Sequence, residues 1–362
     1  MSETSIPKDF DPNSVISPIN GDFAGKNLLS VSQLSPSDIR TYLEEAGAAD
    51  KLIQHPDFRG ISLLGHHVLV AVMRQPSTRT GGSMRTAMSR LGGVSGVISG
   101  MQSSSEAKGE SLADSVLALA IQADVIATRT EEEFGPHYVA SVQDYYHSIG
   151  KLRRIAPVIN LGDGKNEHPT QTIGDLLTIE KHVLSPSGDN FSDLTITMVG
   201  NHEDYRAFHS LMIAAKVLDM AVIAVQSDVA KVPKKYRDLL GYNLEITKDL
   251  KGALVDSDVV YYGRNPDEYS GENKKAKERS NLLARDFADW RMDEEKLKLM
   301  PPNAIFMHPR PRKDEVDPII DKDPRVVDVL QMDYMIPARM AVIALALGRS
   351  IRSASEKVFS ER

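Results

Sequence analysis

Short apolar runs alternate with longer segments of helical periodicity along most of the chain. The runs are rich in β-branched residues, which is typical of buried strands. They predict strands at 68–73, 94–99, 124–129, 157–161, 194–200, 221–225, 258–262 and 304–307. Between strands, apolar residues recur at helical spacing, as at Met84, Ala87, Met88 and Leu91. A longer helix is predicted over 28–54, with a Ser-Pro start signal inside it. This alternation predicts an α/β fold of two domains, each a mostly parallel sheet flanked by helices.

Turn-forming residues suggest where the domains begin and end. Residues 1–26 are polar and contain several prolines, so we interpret them as an N-terminal arm. The first domain is predicted over 27–185 and the second over 186–335, because a turn-rich segment separates them. The C-terminal segment 336–362 starts as an apolar helix, and we expect it to pack back on the first domain.

Composition narrows the classes of function. The formal net charge of −7 argues against a nucleic-acid partner. The chain has no cysteine, which excludes disulfides, thiolate catalysis and cysteine metal sites, and its ten histidines lack zinc-type spacing. We interpret the apolar runs as too short for a membrane span and find no signal-peptide pattern. We therefore expect a cytoplasmic protein without a metal or a membrane partner.

The strongest candidate for a binding site is the segment that follows the first predicted strand. Ser77, Thr78, Arg79 and Thr80 lie where that strand turns into a helix. Backbone N–H groups and the helix dipole favour an anion at such a turn, and the arginine fork suits phosphate. An ordinary helix cap is the alternative interpretation, but a cap needs one hydroxyl. Three hydroxyls and an arginine favour an anion site.

Basic residues also follow several other predicted strands. The set is Arg79, Arg129, His168, Arg206, Arg264 and His308. Ligands of open α/β sheets bind at the carboxyl ends of the strands. Taken singly, each residue could be a surface ion-pair partner or a buried hydrogen-bonding group. Together they predict a positively charged active site in the cleft between the two domains, for one or two anionic ligands.

Other chemistries lack their sequence signals. The predicted strand that ends at Gly200 continues as Asn201-His202-Glu203-Asp204, which is not a dinucleotide-binding pattern. The chain contains neither a nucleotide P-loop nor a Gly-x-Ser-x-Gly nucleophile motif.

Four motifs carry a resemblance to a known family. They are Ser77-Thr78-Arg79-Thr80, Lys108-Gly109-Glu110-Ser111-Leu112-Ala113-Asp114, His168-Pro169-Thr170-Gln171-Thr172 and His308-Pro309-Arg310-Pro311-Arg312. In combination they resemble the catalytic chains of the aspartate carbamoyltransferase family, within the aspartate/ornithine carbamoyltransferases. The resemblance implies transfer of the carbamoyl group of carbamoyl phosphate to the amino group of L-aspartate, a step of pyrimidine biosynthesis. It also implies that neither a metal nor an organic cofactor is needed.

The resemblance assigns roles to individual residues. Ser77, Thr78, Arg79 and Thr80 would hold the phosphate of carbamoyl phosphate, while Arg129 and His168 would reach its carbamoyl oxygen. Arg79, Thr80, Arg129 and His168 form the catalytic set. Gln171 and the segment Arg310-Pro311, through the Arg310 carbonyl, would hold the carbamoyl NH2.

The remaining assignments concern the acceptor and the assembly. Arg206 and Arg264 would grip the two carboxylates of aspartate. Ser104 and Lys108 match a loop that enters the active site of a neighbouring subunit in the family, which implies a homotrimer. The sequence leaves open whether a regulatory chain also binds.

Four departures from the family pattern keep alternatives open, and one of them is Arg85, which stands where the family has a glutamate. Gly81 stands where the family has a second arginine, Pro266 where it has a glutamine, and Arg310 where it has an apolar residue. A carbamoyltransferase with another small amine or amide acceptor is therefore the second hypothesis, although ornithine is disfavoured because the family's ornithine enzymes carry a cysteine motif. A non-catalytic homologue is the third.

Overall fold

The computed structural model describes residues 5–99, 111–184, 188–264 and 274–360. The chain divides into two compact units, Met1–Leu177 with Tyr334–Arg362 and Thr178–Asp333. Each unit contains one parallel sheet with helices, so the predicted α/β fold is confirmed. The change of unit falls at Thr178, a few residues before the turn-rich segment that the sequence suggested.

The sheet of the first unit has four parallel strands in the order β2-β1-β3-β4. The strands are β1 Val68–Met73, β2 Val94–Ser99, β3 Val125–Thr130 and β4 Val158–Asp163. The helices before and between them are α1 Pro36–Gln54, α2 Thr78–Arg90, α3 Leu112–Ala120 and α4 Gly135–Ser148, and α5 Pro169–Ile179 follows β4. Strand β4 is buried throughout, and β1 and β3 almost so, which is why these segments read as continuous apolar runs.

The sheet of the second unit has five parallel strands in the order β7-β6-β5-β8-β9. They are β5 Thr195–Gly200, β6 Ala221–Gln226, β7 Leu244–Thr247, β8 Val259–Tyr262 and β9 Ile305–Met307. The helices are α6 Arg206–Val217, α7 Lys234–Leu240, α8 Leu250–Val255, α9 Lys274–Asp289, α10 Glu294–Leu297 and α11 Asp328–Asp333. Sequence patterning did not predict β7, because this edge strand is only four residues long and none of its residues is fully buried.

Two further helices, α12 Met335–Ala346 and α13 Ile351–Ser360, belong to the first unit. Helix α12 packs against α1 and α2, and eleven of its residues are buried. The stretch Asp328–Ala346 is apolar and long enough to cross a membrane, contrary to our interpretation of the sequence, but 72% of it is buried inside the protein. This burial is typical of a core helix.

The predicted helix over 28–54 is wrong in its first turns. Helix α1 begins at Pro36, where Ser35 Oγ accepts from Asp38 N at 3.1 Å and the Asp38 carboxylate accepts from Ser35 N at 2.8 Å. This capping box fixes the helix start. Leu28 instead forms a parallel bridge to Ile159, so its segment extends the edge of the first sheet.

Candidate active site

Ser77 is the N-cap of α2 and organises the turn after β1. Its Oγ accepts from Thr80 N at 3.4 Å and donates to Thr80 Oγ1 at 3.1 Å. Thr80 is buried, whereas Thr78 and Arg79 are exposed at the start of the helix. One hydroxyl therefore caps the helix, and Thr78 and Arg79 lie exposed at a helix N-terminus, which is the kind of position that favours anions. The anion site itself stays a prediction.

Arg129 is the next-to-last residue of β3, inside the strand as in the predicted run 124–129 and not beyond its end. It is paired with Met73, and its carbonyl accepts the N–H groups of Arg74 at 2.9 Å and Gln75 at 3.3 Å. The register between β3 and β4 shifts at this point, and Arg129 Nη1 donates to Leu161 O at 3.4 Å. A bulge changes the direction of a side chain. Arg129 thus fixes the backbone that leads into the Ser77 turn.

A buried carboxylate shapes the loop that carries His168. Four donors reach Asp163 at the end of β4, as follows: Asn160 Nδ2 at 2.9 Å, Asn166 Nδ2 at 3.0 Å, Phe134 N at 2.8 Å and Glu167 N at 3.1 Å. Burial raises the pKa of Asp163, and these hydrogen bonds oppose that rise. The carboxylate holds the turn between β4 and α5 and so positions His168, which directly precedes the first residue of α5.

The next residue along this loop is held from another segment of the first unit. Glu167 accepts from Ser30 Oγ at 2.5 Å and from Val31 N at 3.0 Å. His168 itself is buried, and its carbonyl accepts Gln171 N at 2.9 Å in the first turn of α5. The Gln171 amide donates to Asp175 Oδ1 at 2.9 Å. These contacts fix the backbone and side chains around the predicted carbamoyl ligands.

The predicted ligands of the first unit share one edge of its sheet. Strands β1, β3 and β4 are neighbours and run parallel, so their carboxyl ends meet on the same side. Arg79 follows β1, Arg129 lies near the end of β3, and His168 follows β4. Their roles stay predictions, but this placement is the one that an α/β ligand site requires.

In the second unit, two glycines set the positions of the predicted acceptor ligands. Gly200 ends β5 with φ of +143°, and a Cβ there would lie 2.7 Å from the carbonyl oxygen of Gly263. Gly263 N donates to Val199 O at 3.0 Å, and a Cβ on Gly263 would lie 2.7 Å from Tyr205 and Phe208. The ends of β5 and β8 therefore touch through backbone atoms that a side chain would force apart.

The two arginines start from these adjacent strand ends. Arg206 is the first residue of α6, which follows β5, and Arg264 comes directly after Gly263 at the end of β8. Both side chains are half-buried. Strands β5 and β8 are parallel neighbours, so both arginines lie at the carboxyl edge of the second sheet.

His308, after β9, is a buried structural group of the second unit. Its Nδ1 accepts from Arg310 N at 2.8 Å, so the ring proton is on Nε2, which donates to Glu315 at 2.9 Å. Burial lowers the pKa of His308, although the Glu315 carboxylate opposes this shift. A neutral imidazole thus holds the turn that contains Arg310 and Pro311.

Arg310, a departure from the family pattern, has a buried partner. Its Nε lies 2.9 Å from Asp328 Oδ2, and its Nη2 donates to Oδ1 at 3.2 Å. Arg312 adds a second cation 3.4 Å from the same carboxylate and forms two hydrogen bonds to Asp321. Arg310 has φ of +47°, and the peptide bond to the exposed Pro311 is cis. The Arg310 side chain is therefore engaged inside the second unit.

Some predicted residues lie outside the described part of the chain, namely Ser104, Lys108 and Pro266. Within the described ranges, we find no group of three or more His, Asp or Glu side chains that could hold a metal ion. Sequence reasoning missed Asp163, Glu167 and Asp328. These residues hold the segments that carry the predicted binding residues His168 and Arg310. An Asn-x-x-Asp-x-x-Asn spacing around Asp163 was the available signal.

The fold and these residues define a two-domain α/β protein with basic side chains at the carboxyl edge of each sheet. The chain belongs to the aspartate/ornithine carbamoyltransferase family. Residues 26–181 match the family's carbamoyl-P binding domain, and residues 192–346 match its Asp/Orn binding domain. This membership confirms the resemblance that the motifs carried.

Relatives with similar sequences are aspartate carbamoyltransferase catalytic subunits. The chain is 33% identical over 331 residues to that of Thermoplasma acidophilum, covering 89% of this chain and 94% of the relative. It is 32% identical over 331 residues to that of Clostridium botulinum, covering 90% and 98%. A crystal structure of aspartate transcarbamoylase from Trypanosoma cruzi with carbamoyl phosphate and aspartate has a TM-score of 0.72 and 27% identity. It covers 92% of this chain and 99% of that one.

Proposed function

We propose that this protein transfers the carbamoyl group of carbamoyl phosphate to the amino group of L-aspartate, giving N-carbamoyl-L-aspartate and phosphate. The observation that carries the proposal is the Ser77-capped turn of α2, with exposed Thr78 and Arg79, beside the end of β3 that bears Arg129. Membership of the carbamoyltransferase family supports it, as do relatives named for the aspartate enzyme. The reaction belongs to pyrimidine biosynthesis.

The phosphate of carbamoyl phosphate is held at the start of α2. The hydroxyls of Ser77, Thr78 and Thr80 donate to it, and the Arg79 guanidinium neutralises its charge. The first backbone N–H groups of a helix lack partners within the helix, so a phosphate there also satisfies those donors. This mode of binding needs neither a metal nor an organic cofactor.

The chemical step is attack of the aspartate amine on the carbamoyl carbon. A C–N bond forms, the bond from carbon to the phosphate oxygen breaks, and the departing phosphate takes the amine proton. Thr80, Arg129 and His168 stabilise the oxyanion that develops on the carbamoyl oxygen. Gln171 and the Arg310 carbonyl, with Pro311 beside it, orient the NH2 group. No protein nucleophile takes part, so the protein contributes positioning and charge neutralisation.

The acceptor is held by the second unit. Arg206 and Arg264 each bind one carboxylate of aspartate through charge-assisted hydrogen bonds. Their origin on adjacent parallel strands, β5 and β8, supports this assignment, because side chains from neighbouring strand ends can grip the two ends of one small dianion. The related transcarbamoylase from Trypanosoma cruzi has a crystal structure in complex with carbamoyl phosphate and aspartate.

A homotrimer with shared active sites is part of the proposal, with Ser104 and Lys108 of one subunit serving the site of the next. It rests on the match of the segment Lys108–Asp114 to the family motif. Mixing inactive Lys108→Ala chains with inactive His168→Ala chains tests it, since some mixed trimers contain one site with both residues intact. Recovered activity is expected; none in verified mixed trimers would refute sharing. A cytoplasmic location completes the proposal, supported by the absence of cysteine.

The activity is tested by phosphate release from carbamoyl phosphate with a panel of acceptors. The panel contains L-aspartate, L-asparagine, ornithine and a neutral amine, so it varies the charge of the acceptor stepwise. We expect release with aspartate only. Preference for a neutral amine would overturn the acceptor assignment while leaving carbamoyl transfer intact. If none of the acceptors supports phosphate release, both assignments are overturned.

A further inference from the structure

Arg279 of α9 ties together three segments of the second unit. Its Nη2 donates to Glu203 Oε2 at 2.8 Å and to Asp204 Oδ2 at 2.7 Å, and its Nε donates to Val229 O at 2.8 Å. Two of the partners lie in the loop between β5 and α6, and the third follows β6. One guanidinium therefore joins α9 to the loops after two neighbouring strands.

The loop that Arg279 contacts is the one that leads into Arg206. Asn201 Oδ1 accepts from Glu203 N at 3.2 Å and Asp204 N at 3.1 Å, and its Nδ2 donates to Asp204 Oδ2 at 3.1 Å. The Asp204 side chain is only 2% exposed. The conformation of the loop thus places two carboxylates two and three residues before the proposed aspartate ligand.

The negative charges of Glu203 and Asp204 repel the proposed acceptor, the substrate aspartate. Aspartate is a dianion, and uncompensated negative charge close to its binding site opposes its binding. A buried carboxylate such as Asp204 is also screened much less by salt than a surface one. Arg279 supplies the compensating cation. Burial lowers its pKa, but its hydrogen bonds and charge interactions with Asp204 and Glu203 raise the pKa overall, so it stays charged.

We propose that Arg279 is a positioning residue for the acceptor: it neutralises Glu203 and Asp204 so that Arg206 can hold a dicarboxylate. Arg279 is not proposed to touch substrate. The inference rests on the proposed function, since it names a residue that supports acceptor binding in that reaction. Loss of Arg279 should therefore weaken the affinity for aspartate and leave the binding of carbamoyl phosphate unchanged.

Steady-state kinetics with the full chain test the proposal. At saturating carbamoyl phosphate, Arg279→Gln is expected to raise the KM for aspartate about tenfold, the effect of losing one modest charge interaction, with little change in kcat. Arg279→Lys keeps the charge and is expected to stay near the wild-type KM. Calorimetric binding of carbamoyl phosphate should be the same in all three proteins. A wild-type KM in Arg279→Gln would overturn the inference.

A second variant separates charge compensation from loss of loop structure. Combining Arg279→Gln with Glu203→Gln and Asp204→Asn removes the carboxylates together with their partner. We expect this triple variant to regain most of the lost aspartate affinity; a KM as high as that of Arg279→Gln alone would refute compensation. Arg291→Ala is the matched control, because Arg291 pairs with Asp317 at 2.9 Å at the surface of the same unit. Its kinetics should be unchanged.

The outcome distinguishes this inference from the function on which it rests. Wild-type turnover with aspartate is measured first, and its absence would overturn the proposed function whatever the variants do. Normal wild-type turnover with an unaffected Arg279→Gln variant would overturn the inference alone. Arg279→Gln could also melt at a lower temperature than wild type. The aspartate KM of the triple variant, compared with that of Arg279→Gln at a temperature where both are folded, then decides between lost charge compensation and lost loop structure.

Discussion

The side-chain amide of Gln171 donates to Asp175 Oδ1 at 2.9 Å, across one turn of α5. Asp175 is fully buried, and its negative charge raises the pKa of the buried Arg339 of α12 and so favours the charged guanidinium. Arg339 donates to Ser83 on α2, and Ser83 Oγ donates to Arg79 O at 2.5 Å. Hydrogen bonds, together with the charge interaction between Asp175 and Arg339, thus connect a predicted carbamoyl ligand to the predicted phosphate turn within the first unit.

Arg339→Ala should strongly destabilise the protein. Burial lowers the pKa of Arg339 to about 10, but the charge of Asp175 opposes that shift, so the arginine remains a cation at neutral pH. Its removal takes away the buried cation whose charge interacts with Asp175, and breaking such a buried charge pair costs roughly 3–5 kcal/mol of unfolding free energy. Urea unfolding measures this. Arg352→Ala is the control, because Arg352 pairs with Glu44 at the surface and should cost less than about 1 kcal/mol. Equal losses would contradict the prediction.

Arg79→Ala should abolish binding of carbamoyl phosphate while the protein stays folded. Arg79 is exposed in the first turn of α2, so its loss removes a phosphate ligand without opening the core. Isothermal titration calorimetry measures the binding. Arg85→Ala on the same helix is the control, because Arg85 is also exposed but lies beyond the first turn. Affinity equal to wild type in Arg79→Ala would show that the phosphate binds elsewhere.

Arg206→Ala and Arg264→Ala should each weaken the use of aspartate by at least roughly tenfold, because a charge-assisted hydrogen bond contributes about 1.5–3 kcal/mol. Steady-state kinetics at saturating carbamoyl phosphate measure this. Binding of carbamoyl phosphate should change much less, since its predicted ligands lie mostly in the other unit. Unaltered aspartate kinetics in Arg264→Ala would argue for a different acceptor.

Stability should fall as the pH decreases from about 6.5 to about 4. Burial lowers the pKa of both His137 and His202 to about 4 in the folded protein, from an ordinary value near 6.5. In this interval the unfolded chain binds protons that the folded protein does not, so acid favours unfolding by on the order of 3 kcal/mol per histidine. Above about pH 6.5 these histidines are neutral in both states, so this loss of stability is absent.

Chemical unfolding at a series of pH values measures the slope of unfolding free energy against pH between about 4 and 6.5. His137→Leu should reduce it, because the leucine takes up no proton in either state. His147→Gln is the control, since His147 is exposed on the same helix, α4. A slope in His137→Leu as steep as in wild type would contradict the assignment.

Local signals predicted the strands and the segments that carry the ligands. Apolar runs bounded by turn residues identify every strand except β7, because its pattern lacks a buried face. The Ser-Pro start signal was visible, yet the apolar residues before it were assigned to α1, because periodicity alone does not separate a helix from a segment that extends a sheet edge. The predicted strand 124–129 ends one residue before β3 does, because the shift of register next to Arg129 leaves no mark in composition.

Residues that position the ligands escaped prediction for a different reason. Arg339 and its partner Ser83 are 256 positions apart, and Glu167 and Ser30 are 137 apart. Each such residue has an ordinary local context, and its importance arises only when the fold brings it to a buried partner. Sequence patterns report the period of an element, whereas these contacts depend on tertiary packing.

The first unit is discontinuous, and this affects how the chain can fold during synthesis. Tyr334–Arg362 is translated after the whole of Thr178–Asp333. Until α12 leaves the ribosome, the apolar faces of α1 and α2 that it covers have no partner, and Ser83 lacks the guanidinium of Arg339. The second unit has no such dependence and can fold first, although it is encoded later than most of the first unit. The nascent chain therefore has a long interval of exposed apolar surface in which chaperones can act.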